Sequence, residues 1–237
     1  YLKKIYFEFY NADVFLTGSA PTAHPPKFNY QKYVAVSSAS KLLVDKFDKP
    51  CDLSIMDGSF FNAKFIEDCP SKSIIHQKKA YANNVKNLVV VSSNNILPTM
   101  SFDSLITSET NFFLPLWIRS YIVNYVCKTN YLDNLKPRGF TQVGTGVWSV
   151  ALLVFLKVKA IHITGINFRT GTNTEITRYY HESNKGAPKI EYNKSRCRNH
   201  SSPDLNVLSA LALRYREKIT ITTDENDLQC AISPNLS

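Results

Sequence analysis

Glycine is scarce in this chain, with eight among 237 residues. So few glycines, and no fixed-period self-similarity, exclude collagen-like, solenoid and propeller architectures. The two glycine-rich phosphate fingerprints are absent as well. Without GxGxxG a dinucleotide-dependent oxidoreductase loses weight, and without GxxxxGK[ST] so does a P-loop NTPase. There is no GxSxG elbow, no HExxH and no DxD pair, and Asp45-Lys46-Phe47-Asp48 reads as surface charge. Cysteine is sparse and unpatterned. Cys51, Cys69, Cys127, Cys197 and Cys230 are odd in number and form no CxxC pair. Free thiols in a reducing compartment are therefore expected, not a disulfide framework or a zinc site. Long apolar runs are short too. The longest, residues 143–158 (VGTGVWSVALLVFLKV), ends in lysines and falls below the roughly 20 residues of a membrane-spanning helix. It is expected to be a helix buried in a core. No cleavable signal peptide is visible, and a cytoplasmic location is expected.

What is present is an ordinary globular composition, 44% apolar and 20% charged, in a chain of a size for one large domain with a small appendage. The charge is one-sided: net +9 with a pI near 9.2. That excess implies an anionic partner, whether nucleic acid, an acidic membrane surface or a phosphorylated small molecule.

Short β-branched bursts recur along the chain. Asp13–Thr17 and residues 33–37, 52–56, 73–76 and 87–92 read as buried strands, followed by 159–164 and 218–222. Between them, 114–128 and 147–156 read as helices. Strands alternating with helices predict a Rossmann-like α/β fold, with a mostly parallel sheet and helices on both faces. Ser202 is placed to cap a helix with Pro203 at its first position, and Leu205, Leu208, Leu211, Ala212 and Tyr215 mark its apolar face. Residues 169–199 differ in character, being rich in Thr, Asn, Tyr and basic side chains, among them Arg178, Lys185, Lys189, Lys194, Arg196 and Arg198. They read as a surface insertion or as a lid over an anionic ligand. The expected domains are 1–168 with 200–237 as the Rossmann-like unit, and 169–199 as the lid.

In an open α/β sheet, ligands bind outside the carboxyl ends of the strands. The residues following the expected strands there are Gly18-Ser19-Ala20-Pro21, Ser37-Ser38, Asp57-Gly58-Ser59 and Gly165-Ile166-Asn167-Phe168. All are small or turn-forming, which lets backbone N–H groups approach a ligand. Among the histidines, His162 alternates within a strand and reads as structural, while His24 and His76 lie near loops. His181 sits beside Tyr179 and Tyr180, and His200 lies just before the capped helix. A histidine near its ordinary pKa is suited to moving one proton at neutral pH. A surface or capping role is the alternative for His200.

These segments, taken in order, resemble bacterial sialyltransferases of glycosyltransferase family 42. The resemblance rests on Thr145-Gly146-Val147, on Ile163-Thr164-Gly165-Ile166-Asn167-Phe168, on His200-Ser201 followed by Asp204, and on Cys230-Ala231-Ile232-Ser233-Pro234-Asn235. Thr17-Gly18-Ser19-Ala20-Pro21 is similar to the family's first donor loop. It implies a GT-A-like variant of the Rossmann-like fold and an inverting transferase moving sialic acid, or a related acidic sugar, from a CMP-sugar to a glycan hydroxyl. Neither a metal nor a cofactor is implied. By position, His200 is the implied general base, and the donor would meet Gly18, Ser19, Ala20, Pro21, Ser38, Asp57, Thr145, Gly146, Gly165, Asn167 and Phe168. The chain departs from the family where Ser19, Ser38 and Asp57 replace asparagines. It departs again where Arg169 replaces a tyrosine that meets the leaving phosphate, a role that Arg169, Tyr179 or Tyr180 can take. The implied setting is bacterial lipooligosaccharide or capsule synthesis, with a peripheral contact on the inner membrane and a homo-oligomer as further expectations, and no nucleic-acid partner. Two rivals are a pyrophosphokinase-like nucleotide enzyme on the same scaffold and a non-catalytic basic binding module.

Overall fold

The computed structural model describes residues 2–18, 23–36, 39–57, 85–91, 110–128, 143–166 and 194–223. Seven strands form one sheet: β1 Asp13–Thr17, β2 Lys32–Val36, β3 Cys51–Asp57, β4 Val85–Val91, β5 Thr110–Leu114, β6 Ala160–Thr164 and β7 Thr220–Thr223. Their order is β5-β4-β3-β2-β1-β6-β7, and every neighbouring pair is parallel. The chain thus builds outward from β1 to β5, then returns to place β6 on the other side of β1. The expected parallel α/β sheet is present. The strand expected at 73–76 lies outside the described residues.

The strands are buried on both faces, which is why they read as continuous apolar bursts. Val14, Leu16, Val34, Val36, Leu53, Ile55, Val89 and Val91 point to one side, Phe15, Tyr33, Ala35, Met56, Leu88 and Val90 to the other. The first side is covered by α1 (Leu2–Phe9), α3 (Leu116–Cys127), α4 (Thr145–Phe155) and α5 (Lys194–Tyr215). The second is covered by α2 (Ala39–Lys41) and the π-helical turn Leu42–Lys46 that continues it.

The apolar run at 143–158 is the buried helix α4, with every residue from Val147 to Val154 inside the core. No described helix is long and apolar enough to cross a membrane. Cys51 and Cys127 are free and buried. Burial pushes the Cys127 thiol up to about 11, against the opposing pull of Arg214, and pushes Cys51 up further, so neither is a thiolate at neutral pH.

One expectation is corrected. Helix α5 does not start at Ser202 but runs from Lys194, with Ser202 and Pro203 inside it. A proline removes one backbone donor and crowds the preceding turn. The helix persists because its second half is anchored, with Asp204, Val207, Leu208 and Leu211 all buried. Helix α1 and strand β5 are not among the expected elements.

At the amino edge of the sheet, charge does the joining. Lys32 Nζ donates to Glu8 Oε1 (3.1 Å) and Asp52 Oδ1 (3.4 Å), and Lys86 Nζ donates to Glu8 Oε1 (2.5 Å). Asn87 Nδ2 donates both to Glu8 Oε2 and to the Asp52 carbonyl. Burial alone would push the Glu8 carboxyl up, but Lys86 and Lys32 outweigh it and hold it below the ordinary carboxylate value. A depressed folded-state value means that Glu8 contributes its full stability above the ordinary carboxylate range. The contribution is lost as pH falls through the depressed value. Glu8→Gln should therefore cost roughly 1–2 kcal/mol near neutral pH in urea unfolding, and its stability should converge with that of the parent below about pH 4. A gap of constant size across pH would assign the effect to packing instead.

Candidate functional site

Because β6 returns beside β1, the sheet reverses its winding between these two strands, the place where open α/β sheets put their ligand crevice. The chain leaves β1 through Gly18 and β6 through Gly165. Gly18 N–H donates to the Thr164 carbonyl at 2.8 Å. A Cβ on Gly18 would lie 2.1 Å from the Gly165 carbonyl oxygen, a distance that no side chain tolerates. Gly165 turns with φ near +63°, and a Cβ there would lie 2.5 Å from the Cβ of Ala23. Both positions therefore require glycine for reasons of space, and Gly165 for backbone conformation as well.

The buried hydroxyls of Thr17 and Thr164 lock the same corner. Thr17 Oγ1 donates to the Gly18 carbonyl (3.0 Å), and Thr164 Oγ1 accepts from His24 N–H (3.2 Å). His24 is thus drawn to the carboxyl edge, its ring 6.0 Å from that of His162. His162 stacks on Phe15 at 5.7 Å, and its Nδ1 lies 2.9 Å from Thr222 Oγ1. Its structural reading stands.

The N-terminus of α4 closes the other side. Gly146 packs on Ile166, where a Cβ would lie 2.6 Å from Cγ2. The first bond within α4 runs from Trp148 N–H to the Gly144 carbonyl (2.9 Å), so the preceding amides point out of the helix. Gly144 N–H is met by Asp204 Oδ1 of α5 at 2.7 Å. Arg119 of α3 donates to the Val143 carbonyl and accepts from Trp148 Nε1 on its own carbonyl. Two neighbouring helices thus hold the end of α4 at the crevice. A helix N-terminus with outward amides attracts an anion.

Of the expected site residues, Gly18, Thr145, Gly146 and Gly165 are brought together here. Asp57 ends β3, on the same edge of the sheet and two strands from β1. His200 lies in α5 one turn before Asp204, which places its backbone about 6 Å along the axis from a residue that touches α4. Ser19, Ala20, Pro21, Ser38, Asn167, Phe168, Arg169, Tyr179 and Tyr180 lie outside the described residues, as do His76 and His181. Asp204 and His24 are the contributors that sequence reasoning did not place at the site. Their partners lie 60 and 140 positions away, beyond any local signal. Among the described residues no group of three His, Cys, Asp or Glu side chains is arranged to hold a metal ion.

The fold and the strand order define an open, doubly wound α/β protein. No protein-family model matches the sequence, and no curated protein matches it. Solved structures do share the fold, sialyltransferases among them. An asparagine-to-alanine variant of CstII in complex with CMP aligns with a TM-score of 0.54 at 16% identity, over 93% of this chain and 85% of that one. CstII from Campylobacter jejuni with cytidine-5'-monophosphate aligns at 0.51 and 15% identity, over 94% and 84%. The monofunctional α-2,3-sialyltransferase Cst-I from the same organism gives 0.51 and 14%, over 92% and 78%. At these identities the likeness is one of fold.

The close approach at Gly18 generates a ranking. Gly18→Ala should destabilise by roughly 3 kcal/mol, because the obstacle is backbone. Gly146→Ala should cost less, roughly 1–2 kcal/mol, because the obstacle is the Ile166 side chain and not backbone, and alanine favours a helix. Urea midpoints measure both, and equal losses would refute the tight β1–β6 contact.

Proposed function

We propose that the chain is a glycosyltransferase that moves sialic acid, or a related acidic nine-carbon sugar, from a CMP-linked donor to a hydroxyl of a glycan acceptor. One observation carries this reading. Thr145-Gly146, Gly165 and Gly18, which the motif resemblance assigns to one donor site, converge at the switch point of the sheet although they lie far apart in the chain. The fold shared with CMP-bound sialyltransferases supports it.

In this mechanism the outward amides of α4 and the glycine-lined exits of β1 and β6 orient the anionic donor. The acceptor oxygen attacks the anomeric carbon as the bond from that carbon to the phosphate oxygen of CMP breaks on the opposite face, so the configuration inverts. His200 takes the acceptor proton, and Arg169, with Tyr179 or Tyr180, meets the charge left on CMP. CMP is a good leaving group whose charge side chains can meet, so the reaction requires neither a metal nor a cofactor. The +9 charge suits an anionic substrate and a site of action in the cytoplasm, at the inner face of a membrane.

A thermal-shift titration with CMP, CDP, UDP, GDP and ATP, each with and without EDTA, tests the donor. A rise in melting temperature specific to CMP and indifferent to EDTA is expected. A response to ATP that needs a metal, or no response to any nucleotide, would overturn the reading. His200→Ala should lower turnover by roughly 10²–10⁴-fold while the CMP shift survives, and unchanged turnover would remove His200 from the mechanism.

A further inference from the structure

Helix α3 carries three large aromatic side chains turned to solvent. Trp117, Tyr121 and Tyr125 are 66%, 55% and 57% exposed. Spaced four residues apart, they form one row along the helix, about 12 Å long. Tyr121 and Tyr125 stack at 6.0 Å, and Tyr125 meets Phe155 of α4 edge-on at 5.6 Å. The core needs none of them, because Ile122, Val123 and Val126 on the other side of α3 already fill it.

The elements that carry this row contain no acid. Residues 110–128 and 143–166, which form β5, α3, α4 and β6, contain no Asp or Glu. Lys128 ends α3. The last turn of α5 is pinned beside it, with Tyr215 Oη donating to the Val126 carbonyl at 3.0 Å and Arg214 close enough to act on the Cys127 thiol. That turn and the three residues after it expose Leu213, Arg214, Arg216 and Lys218, with Glu217 as the one acid among them.

We propose that this face is a docking surface for an anionic lipid bilayer. Trp117, Tyr121 and Tyr125 lie at the level of the lipid headgroups, and Lys128, Arg214, Arg216 and Lys218 meet the lipid phosphates. Tryptophan and tyrosine suit that boundary because each joins an apolar ring to a polar tip. Basic side chains add attraction to an anionic leaflet. A second copy of the chain fits less well. Across a symmetric contact the cations of this face would meet one another, and neither α3 nor α4 offers an acid to pair with them. The row begins next to the carboxyl end of β5 and runs toward the amino edge, so the bilayer lies along the helical face and the crevice opens at its side.

Cosedimentation of the full chain with phosphatidylcholine vesicles, with or without one third phosphatidylglycerol, tests the surface. The chain has two tryptophans, and Trp148 is fully buried, so a blue shift of emission on binding reports Trp117. Binding to the anionic vesicles alone, weakened by salt and accompanied by the blue shift, is expected. The triple variant Trp117→Ser, Tyr121→Ser, Tyr125→Ser should lose at least about tenfold in partitioning, with its melting temperature and nucleotide response kept. Lys128→Glu with Arg216→Glu should lose binding without altering the aromatic row. Absence of vesicle binding, equal binding to neutral vesicles, or full binding by the triple variant would overturn the proposal. So would light scattering that shows an oligomer without vesicles and a monomer for the triple variant, since the face would then lie between copies of the chain.

Discussion

The Gly18 amide and the Thr164 carbonyl meet at 2.8 Å in a space that a single methyl group would fill. That contact ties the ends of β1 and β6 together where the sheet reverses direction. Much of the candidate site depends on it. Gly165 must turn left-handed to leave β6 beneath the Ala23 segment, Ile166 then rises under Gly146, and the N-terminus of α4 comes to rest over the junction. A wider junction would remove the seat of α4 and with it the crevice. The requirement is steric rather than energetic in origin, which is why glycine stands at three successive points of contact in a chain so poor in it.

The two edges of the sheet solve different problems. At the amino edge, Glu8, Lys32, Asp52, Lys86 and Asn87 satisfy one another across α1 and three strands. Opposite charges close together in a partly buried place stabilise the fold but leave little field outside. At the carboxyl edge, glycine contacts and the buried hydroxyls of Thr17 and Thr164 form the junction, and Asp204 meets the Gly144 amide at the start of α4. Ion pairs thus join one end of the strands, and close backbone contacts the other.

Helices α3 and α4 connect core to surface. Arg119 and Trp148 bind the start of α4 to α3 through backbone carbonyls, so the end of the helix that faces the crevice is held by buried side chains. The outer side of α3, with its aromatic row, is the part of this unit that the core leaves over.

The sequence by itself determined the parallel α/β class, the apolar strands and the buried helix at 143–158, because burial imposes a local period on side chains. The ordered motifs around Thr145, Gly165 and His200 also gave the family resemblance. Helix α1 escaped because its Glu8 is held by Lys86 and Asn87, which lie far along the chain. Strand β5 escaped because its few apolar residues run straight into α3. The early start of α5 escaped because Ser-Pro is a strong local cap signal that burial of Asp204 and the residues after it overrode. Only the tertiary structure decided that Asp204 grips Gly144, that His24 folds onto Thr164, and that Gly18 and Gly165 touch. Hydrogen bonds and backbone contacts between distant residues leave no local period behind, so they exist only once the sheet has assembled.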